Sequence, residues 1–125
     1  MIHGIGTDIV AVERLRGLYA RHGTAALEKL LATTELVEFA GASDPGRFLA
    51  KRFAAKEAFS KAFGSGLRAP VTLTNLAIVH DHAGKPGFAF APQLAAAMDA
   101  RKLRAHLSIT DEKAYAVAFV ILEQT

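Results

Sequence analysis

The chain has 125 residues, 51% of them apolar, no cysteine, and a net charge of +3 with an isoelectric point near 9.5. That length predicts a single domain over residues 1–125, and the missing thiols exclude a disulfide framework or a thiolate metal site. The longest apolar run, Ala114 to Leu122, is too short to span a bilayer, and no basic segment precedes an apolar core at the start, so the expectation is a cytoplasmic protein without membrane contact.

A mean hydropathy of +0.22 is high for so small a chain and predicts apolar surface covered by further copies, a homo-oligomer. Ten of the fifteen Lys and Arg fall between Arg14 and Arg68, which favours an acidic partner for the first half of the chain.

In chain order, Ile5, Ile9 and Val10 among closely spaced glycines predict a short strand that another backbone approaches closely, with Asp8 at its end. An aspartate in that position is more often a turn former or helix cap than a ligand. Ala11, Leu15 and Leu18 carry a helical period to about Tyr19, with Glu13 in the first turn and Arg14, Arg16 and Arg21 on or after it. Thr24 is positioned to cap a helix carrying Leu27, Leu30 and Leu31, and Thr34 another carrying Leu36, Val37 and Phe39. Gly41 to Gly46 is a break.

The stretch Asp44 to Gly66 then predicts one long helix, capped by Asp44-Pro45 and stopped by Gly64. Phe48, Ala55, Phe59, Ala62 and Phe63 share one side, whereas Ala50, Ala54, Glu57 and Lys61 share the other. So little polar circumference predicts a mostly buried helix, with Glu57 and Lys61 on a strip of small residues. An i,i+4 pair on a solvated face contributes only about 0.2–0.5 kcal/mol and is common. Here the pair sits among alanines, and Arg47, Lys51, Arg52 and Lys56 make the same helix strongly basic, which calls for an external anion such as a polyphosphate.

Gly64 to Pro70 is a loop offering backbone amides and Arg68 at the helix end, without a Walker pattern. Thr72 to Asp81 predicts a strand, Gly84 to Gly87 a turn, and Phe88 to Ala91 its hairpin partner. Pro92 opens an Ala-rich helix to about Arg104, followed by strands over Ala105 to Thr110 and Tyr115 to Glu123. The fold class is therefore α+β, an antiparallel sheet with one long central helix. His106, Ser108 and Asp111 do not make a hydrolase triad, because His106 and Ser108 point the same way two residues apart on a strand with no nucleophile elbow. A basic nucleic-acid module is equally disfavoured, since no aromatic stacking platform accompanies the charge.

The segments Gly6 to Val10 (GTDIV), Phe53 to Gly64 (FAAKEAFSKAFG), Gly84-Lys85-Pro86 and His106-Leu107-Ser108 together resemble the holo-[acyl-carrier-protein] synthase family of 4′-phosphopantetheinyl transferases, in order and spacing over nearly the whole chain. The resemblance implies a homotrimer with active sites at subunit interfaces and a Mg²⁺-dependent transfer of phosphopantetheine from coenzyme A to a serine of apo acyl carrier protein. The products would be holo carrier protein and 3′,5′-ADP, in service of fatty acid biosynthesis. It implies Asp8 and Glu57 as the metal carboxylates, Glu57 or a metal-bound water as the base, and Lys61 as the residue that stabilises or protonates the leaving phosphate. Arg47, Arg52, Lys56, Lys61, Gly64, Pro86 and His106 become candidates for coenzyme A, some of them across a subunit boundary. Arg14 and Arg21 become candidates for the acidic carrier protein. Many members of the family carry a histidine where this chain has Asp111, so that turn receives no catalytic role.

Overall fold

The long helix expected from the capping signals runs from Pro45 to Phe63 and forms the axis of the molecule. Asp44, in an extended conformation, accepts a hydrogen bond from the Arg47 N–H at 3.2 Å, and Gly64 closes the far end with a φ of 95°. Ala50, Ala54, Ala55, Ala58 and Phe59 are all 0% exposed, so neighbours surround this helix on most of its circumference. The computed structural model describes residues 1–125, with the elements β1 (Ile2–Ala11), α1 (Val12–His22), α2 (Thr24–Leu30), α3 (Thr33–Ala40), α4 (Pro45–Phe63), β2 (Leu76–His80), β3 (Pro86–Phe90), α5 (Pro92–Ala100), β4 (Leu103–Asp111) and β5 (Tyr115–Gln124).

The strands form two antiparallel sheets, one ordered β1-β5-β4 and a hairpin of β2 and β3. In the larger sheet Asp8 lies opposite Ala118, which lies opposite Ile109. Alternation along the strands turns Val10, Ala116, Ala118, Val120, Leu122 and Leu107 into the core against α4. The outer face carries Ile5, Ile9 and Phe119, which are 60%, 62% and 41% exposed. Strand β1 crosses α4 at backbone contact distance. A Cβ at Gly4 would collide with the Ala62 carbonyl oxygen, and one at Gly6 with the Ala58 carbonyl oxygen, so only glycine permits the crossing. The glycine-spaced strand thus meets another backbone, as its sequence predicts. On the other flank of α4, Phe59 packs edge-on against Phe88 at 5.1 Å and closes the core beneath the hairpin.

Several boundaries differ from the sequence reading. Helix α1 continues to His22, three residues beyond Tyr19. Thr24 and Thr34 do not cap; Gly23 and Ala32 hold the N-cap positions, and the Glu35 carboxylate accepts the Ala32 N–H at 3.0 Å instead. Residues Thr72 to Asn75 form a turn, with the Asn75 amide bonded to the Thr72 hydroxyl, so β2 starts only at Leu76. Asp81 tightens the following turn by accepting the Ala83 and Lys85 N–H groups, each at 2.9 Å, so β3 begins at Pro86 rather than Phe88. Helix α5 stops at Ala100 because Lys102 takes a φ of 56°, which reverses the chain and lets Leu103 enter the core at the start of β4.

Candidate active site

The crossing of β1 over α4 brings Asp8 beside the middle of the helix. Lys61 reaches across to it, donating to the Thr7 carbonyl at 2.9 Å and to Asp8 Oδ1 at 3.2 Å. The i,i+4 pair between Glu57 and Lys61 that the sequence allows is therefore not formed; the lysine serves the strand. Glu57 lies one turn earlier, and its carboxylate has no hydrogen-bond or ion-pair partner in the chain. Burial raises the Glu57 pKa above its ordinary value, the Asp8 charge raises it further, and Lys61 and Arg14 oppose the shift. Two neighbouring carboxylates with one ammonium bonded to Asp8 alone leave a site short of positive charge. No third His, Cys, Asp or Glu joins them. A hard divalent cation such as Mg²⁺ fits this donor set, since it commonly takes one or two protein carboxylates and completes its octahedron with phosphate oxygens and water.

Back along α4 towards its N-terminus, Arg47, Lys51 and Arg52 line an open hollow of about 350 Å³ with Gly41, Ala42, Ser43, Asp44 and Phe48. Arg47 is held from both sides, with Nε 3.3 Å from Asp111 Oδ2 and 3.9 Å from Asp44 Oδ2. Asp111 is thus an ion-pair partner of Arg47 on the inner side of its strand. The Arg52 guanidinium lies 3.7 Å over the Phe48 ring and pairs with Glu35 and Glu38, each at 3.3 Å. Burial lowers its pKa, against the pull of those two carboxylates.

Lys56 requires a correction. It is 0% exposed, and its ammonium donates to Glu35 Oε1 at 2.6 Å, to the Leu73 carbonyl at 2.7 Å and to the Leu30 carbonyl at 2.8 Å. All three protons are used inside the protein, so no donor remains for a phosphate. Helical periodicity assigns Lys56 a face but cannot reveal that the partner comes from a helix twenty-one residues away.

The remaining candidates lie elsewhere on the surface of the protomer. Gly64 ends α4 one turn beyond Lys61, and Pro86 opens β3 opposite His80. His106 stands on the outer face of β4, with Nε2 3.0 Å from Glu123 Oε1, and that hydrogen bond holds the Glu123 carboxyl below its ordinary pKa. Ser108 shares this face, whereas Asp111 is turned inward to Arg47, so no triad forms. Phe119, which sequence reasoning did not single out, separates two shallow hollows: one holds Lys61, Thr7 and Ile5, the other His106 and Ser108. Its signal was an aromatic at an outward parity position of a strand. On α1, Arg14 and Arg21 are exposed two turns apart, and the extension of the helix to His22 keeps both in helical register. Arg16 points away, bonded to Glu13 and Asp44 at 2.9 Å each. Arg14 also leans over the Phe53 ring at 5.3 Å, on the side of Glu57.

Known proteins resemble this chain in sequence and in fold. A model of the 4′-phosphopantetheinyl transferase superfamily matches residues 4–120. Holo-[acyl-carrier-protein] synthase of Dechloromonas aromatica is 61% identical over 98% of both chains. The crystal structure of holo-[acyl-carrier-protein] synthase from Neisseria meningitidis superimposes with a TM-score of 0.96 at 45% identity, covering 99% of this chain and 100% of that one. A synthase of the same name from Bacillus anthracis, in complex with CoA (3′,5′-ADP), gives a TM-score of 0.84 at 34% identity over 100% and 99% of the two chains. The carboxylates at the β1–α4 crossing and the extent of these matches lead to one conclusion: the chain belongs to the 4′-phosphopantetheinyl transferase superfamily.

Proposed function

We propose that this protein is a holo-[acyl-carrier-protein] synthase, which moves the 4′-phosphopantetheine group of coenzyme A onto a serine of apo acyl carrier protein and releases 3′,5′-ADP. The observation that carries the reading is the cluster of Asp8, Glu57 and Lys61 where β1 crosses α4. In the reaction the serine oxygen bonds to the β-phosphorus of coenzyme A, the bridging oxygen of the diphosphate leaves with 3′,5′-ADP, and the serine proton is taken up by a base. Asp8 and Glu57 would hold Mg²⁺, which would supply charge neutralisation for the diphosphate. Glu57, raised in pKa by burial, has the basicity and the free lone pairs to accept the serine proton if it is not occupied by the metal; otherwise water takes that part. Lys61 is anchored by the Thr7 carbonyl and Asp8, with its side chain still half exposed, and so presents a proton and a positive charge to the leaving phosphate.

Arg47 lies ten residues from Glu57 on the same helix, about 15 Å along its axis. One small ligand does not reach both, and His106 stands on the opposite face of the sheet. A homotrimer in which the outer sheet face meets a neighbour answers the second point, because it covers Ile5, Ile9 and Phe119 and joins His106 of one copy to Lys61 of another around the Phe119 hollows. No helix of the chain is long and apolar enough to cross a membrane; with the role in fatty acid biosynthesis that the resemblance implies, we assign the enzyme to the cytoplasm. The deciding experiment is mass spectrometry of apo acyl carrier protein after incubation with coenzyme A and Mg²⁺. The expected result is the added mass of phosphopantetheine, and an unmodified carrier overturns the reading.

A further inference from the structure

Glu35 and Lys56 make an ion pair in which both side chains are 0% exposed, and neither touches the cluster of Asp8, Glu57 and Lys61. The pair does not close on itself. Lys56 also donates to the Leu30 carbonyl at the end of α2 and to the Leu73 carbonyl ahead of β2, while Glu35 accepts the Ala32 N–H and the Ile78 N–H of β2, both at 3.0 Å. Arg52, one turn back on α4, approaches the same carboxylate at 3.3 Å. Helix α4 is thereby tied to α2, α3 and β2 through one lysine.

A buried pair of this kind seldom adds stability beyond what well-packed apolar side chains of the same volume would give, because removing both charges from water costs about as much as their attraction returns. Directional hydrogen bonds supply something that apolar contacts lack. The side of α4 that lies opposite Lys56 is built of Ala50, Ala54 and Ala58, small side chains that leave the rotation of the helix about its axis to be set from the Lys56 side. At about 100° per residue, Lys56 lies roughly 200° round the helix from Ala58, whose carbonyl takes the close approach of Gly6. Glu57 lies between these two attachment points, at about 100° from each.

We infer that Glu35 and Lys56 are positioning residues, which fix the rotation of α4 so that the Glu57 carboxylate faces Asp8 across the β1 crossing. The inference builds on the assignment of Asp8 and Glu57 as the metal carboxylates, so its test must separate the two. The probe is Mn²⁺, standing in for Mg²⁺, titrated into the full-length protein and followed by electron paramagnetic resonance of the free ion. Wild type is expected to bind more tightly than Glu57→Gln; equal binding overturns the metal assignment itself.

Lys56→Met is expected to weaken Mn²⁺ binding about tenfold, the lower end of what disturbed ligand-orienting residues cost, with circular dichroism unchanged and the KM for carrier protein unchanged. A folded Lys56→Met protein that binds Mn²⁺ as wild type does overturns the positioning role, whatever its melting temperature. Where Lys56→Met alone leaves Glu35 with only Arg52 as a cationic partner and the protein unfolds, Glu35→Gln combined with Lys56→Met removes the charges of the pair, keeps an acceptor for the Ile78 N–H and leaves Arg52 paired with Glu38. The same tenfold weakening is expected there, and the same wild-type binding would refute it. Failure of both variants to fold would make the pair a folding requirement and would also overturn the inference.

Discussion

Glu57 is the residue whose chemistry and stability pull in opposite directions. In metal-free protein its folded pKa stands above the unfolded value, first through burial and then through Asp8. Between those two values the native state holds more protons than the unfolded chain, so stability falls as pH rises through that window. Glu57→Gln removes the penalty and keeps the helix propensity. In the presence of a chelator, thermal melts at pH 7 are expected to place the Gln variant at or slightly above wild type, with the gap closing as pH falls towards about 4, the ordinary glutamate value. Phosphopantetheine transfer by the same variant is expected to be lost. A chelated wild type that outlasts Glu57→Gln at pH 7 would contradict the electrostatic account, and a variant with near-normal turnover would contradict the metal assignment. Glu57 and Lys61 could be named as candidates because the FAAKEAFSKAFG motif carries its chemistry in local spacing. Lys56, inside the same motif, was not, because its acceptors come from Leu30, Glu35 and Leu73 and leave no local trace.

Among the elements, β1 and α1 make separate claims. The crossing of β1 over α4 depends on bare backbone, so Gly6→Ala forces the strand away from the Ala58 carbonyl and takes Asp8 with it. The expected cost is about 1–3 kcal/mol, as for overpacking a tight contact, read from urea denaturation, together with a loss of transfer activity larger than the unfolded fraction explains. Unchanged stability would show that the strand has room to shift. Helix α1 presents Arg14 and Arg21 outward while Arg16 is bonded to Glu13 and Asp44. Exposed charges across an interface act mainly on encounter and register and weaken with salt. Arg14→Glu with Arg21→Glu is expected to raise the KM for carrier protein by about an order of magnitude, with the wild-type KM rising with salt and the KM for coenzyme A nearly constant. Loss of coenzyme A affinity with the carrier KM intact would assign the helix to the nucleotide instead. Helix α4 was readable from sequence to within a residue at each end, because Asp44-Pro45 and Gly64 are strong local signals. The end of α5 was not, because the chain reverses at a lysine with positive φ where no glycine announces the turn.

For the molecule as a whole, the apolar excess in the composition has a definite location. Ile5, Ile9, Tyr115 and Phe119 stand on the outer face of the three-stranded sheet, opposite the face that covers α4. Sedimentation at micromolar concentration is expected to give a trimer of the 13.3 kDa chain. Phe119→Glu places a charge in the middle of that face and is expected to yield folded monomer with little transfer activity. A wild-type monomer, or a Phe119→Glu trimer, would remove the outer sheet face as the interface. The sequence carried the need for such a face through its composition, but strand alternation alone did not say which side of the sheet would be left uncovered.

Strand β1 pairs with β5 and with no other strand, from Ile2 opposite Glu123 to Ala11 opposite Tyr115. During synthesis the segment that carries Asp8 therefore emerges first and waits until residues 115–124 have followed before it has a neighbour to join. A chain interrupted before Tyr115 has α4 and its Glu57 but no sheet to hold the aspartate against them. Assembly of the Asp8–Glu57 pair is thus among the last events in the birth of the protein, and a nascent or prematurely ended chain lacks it.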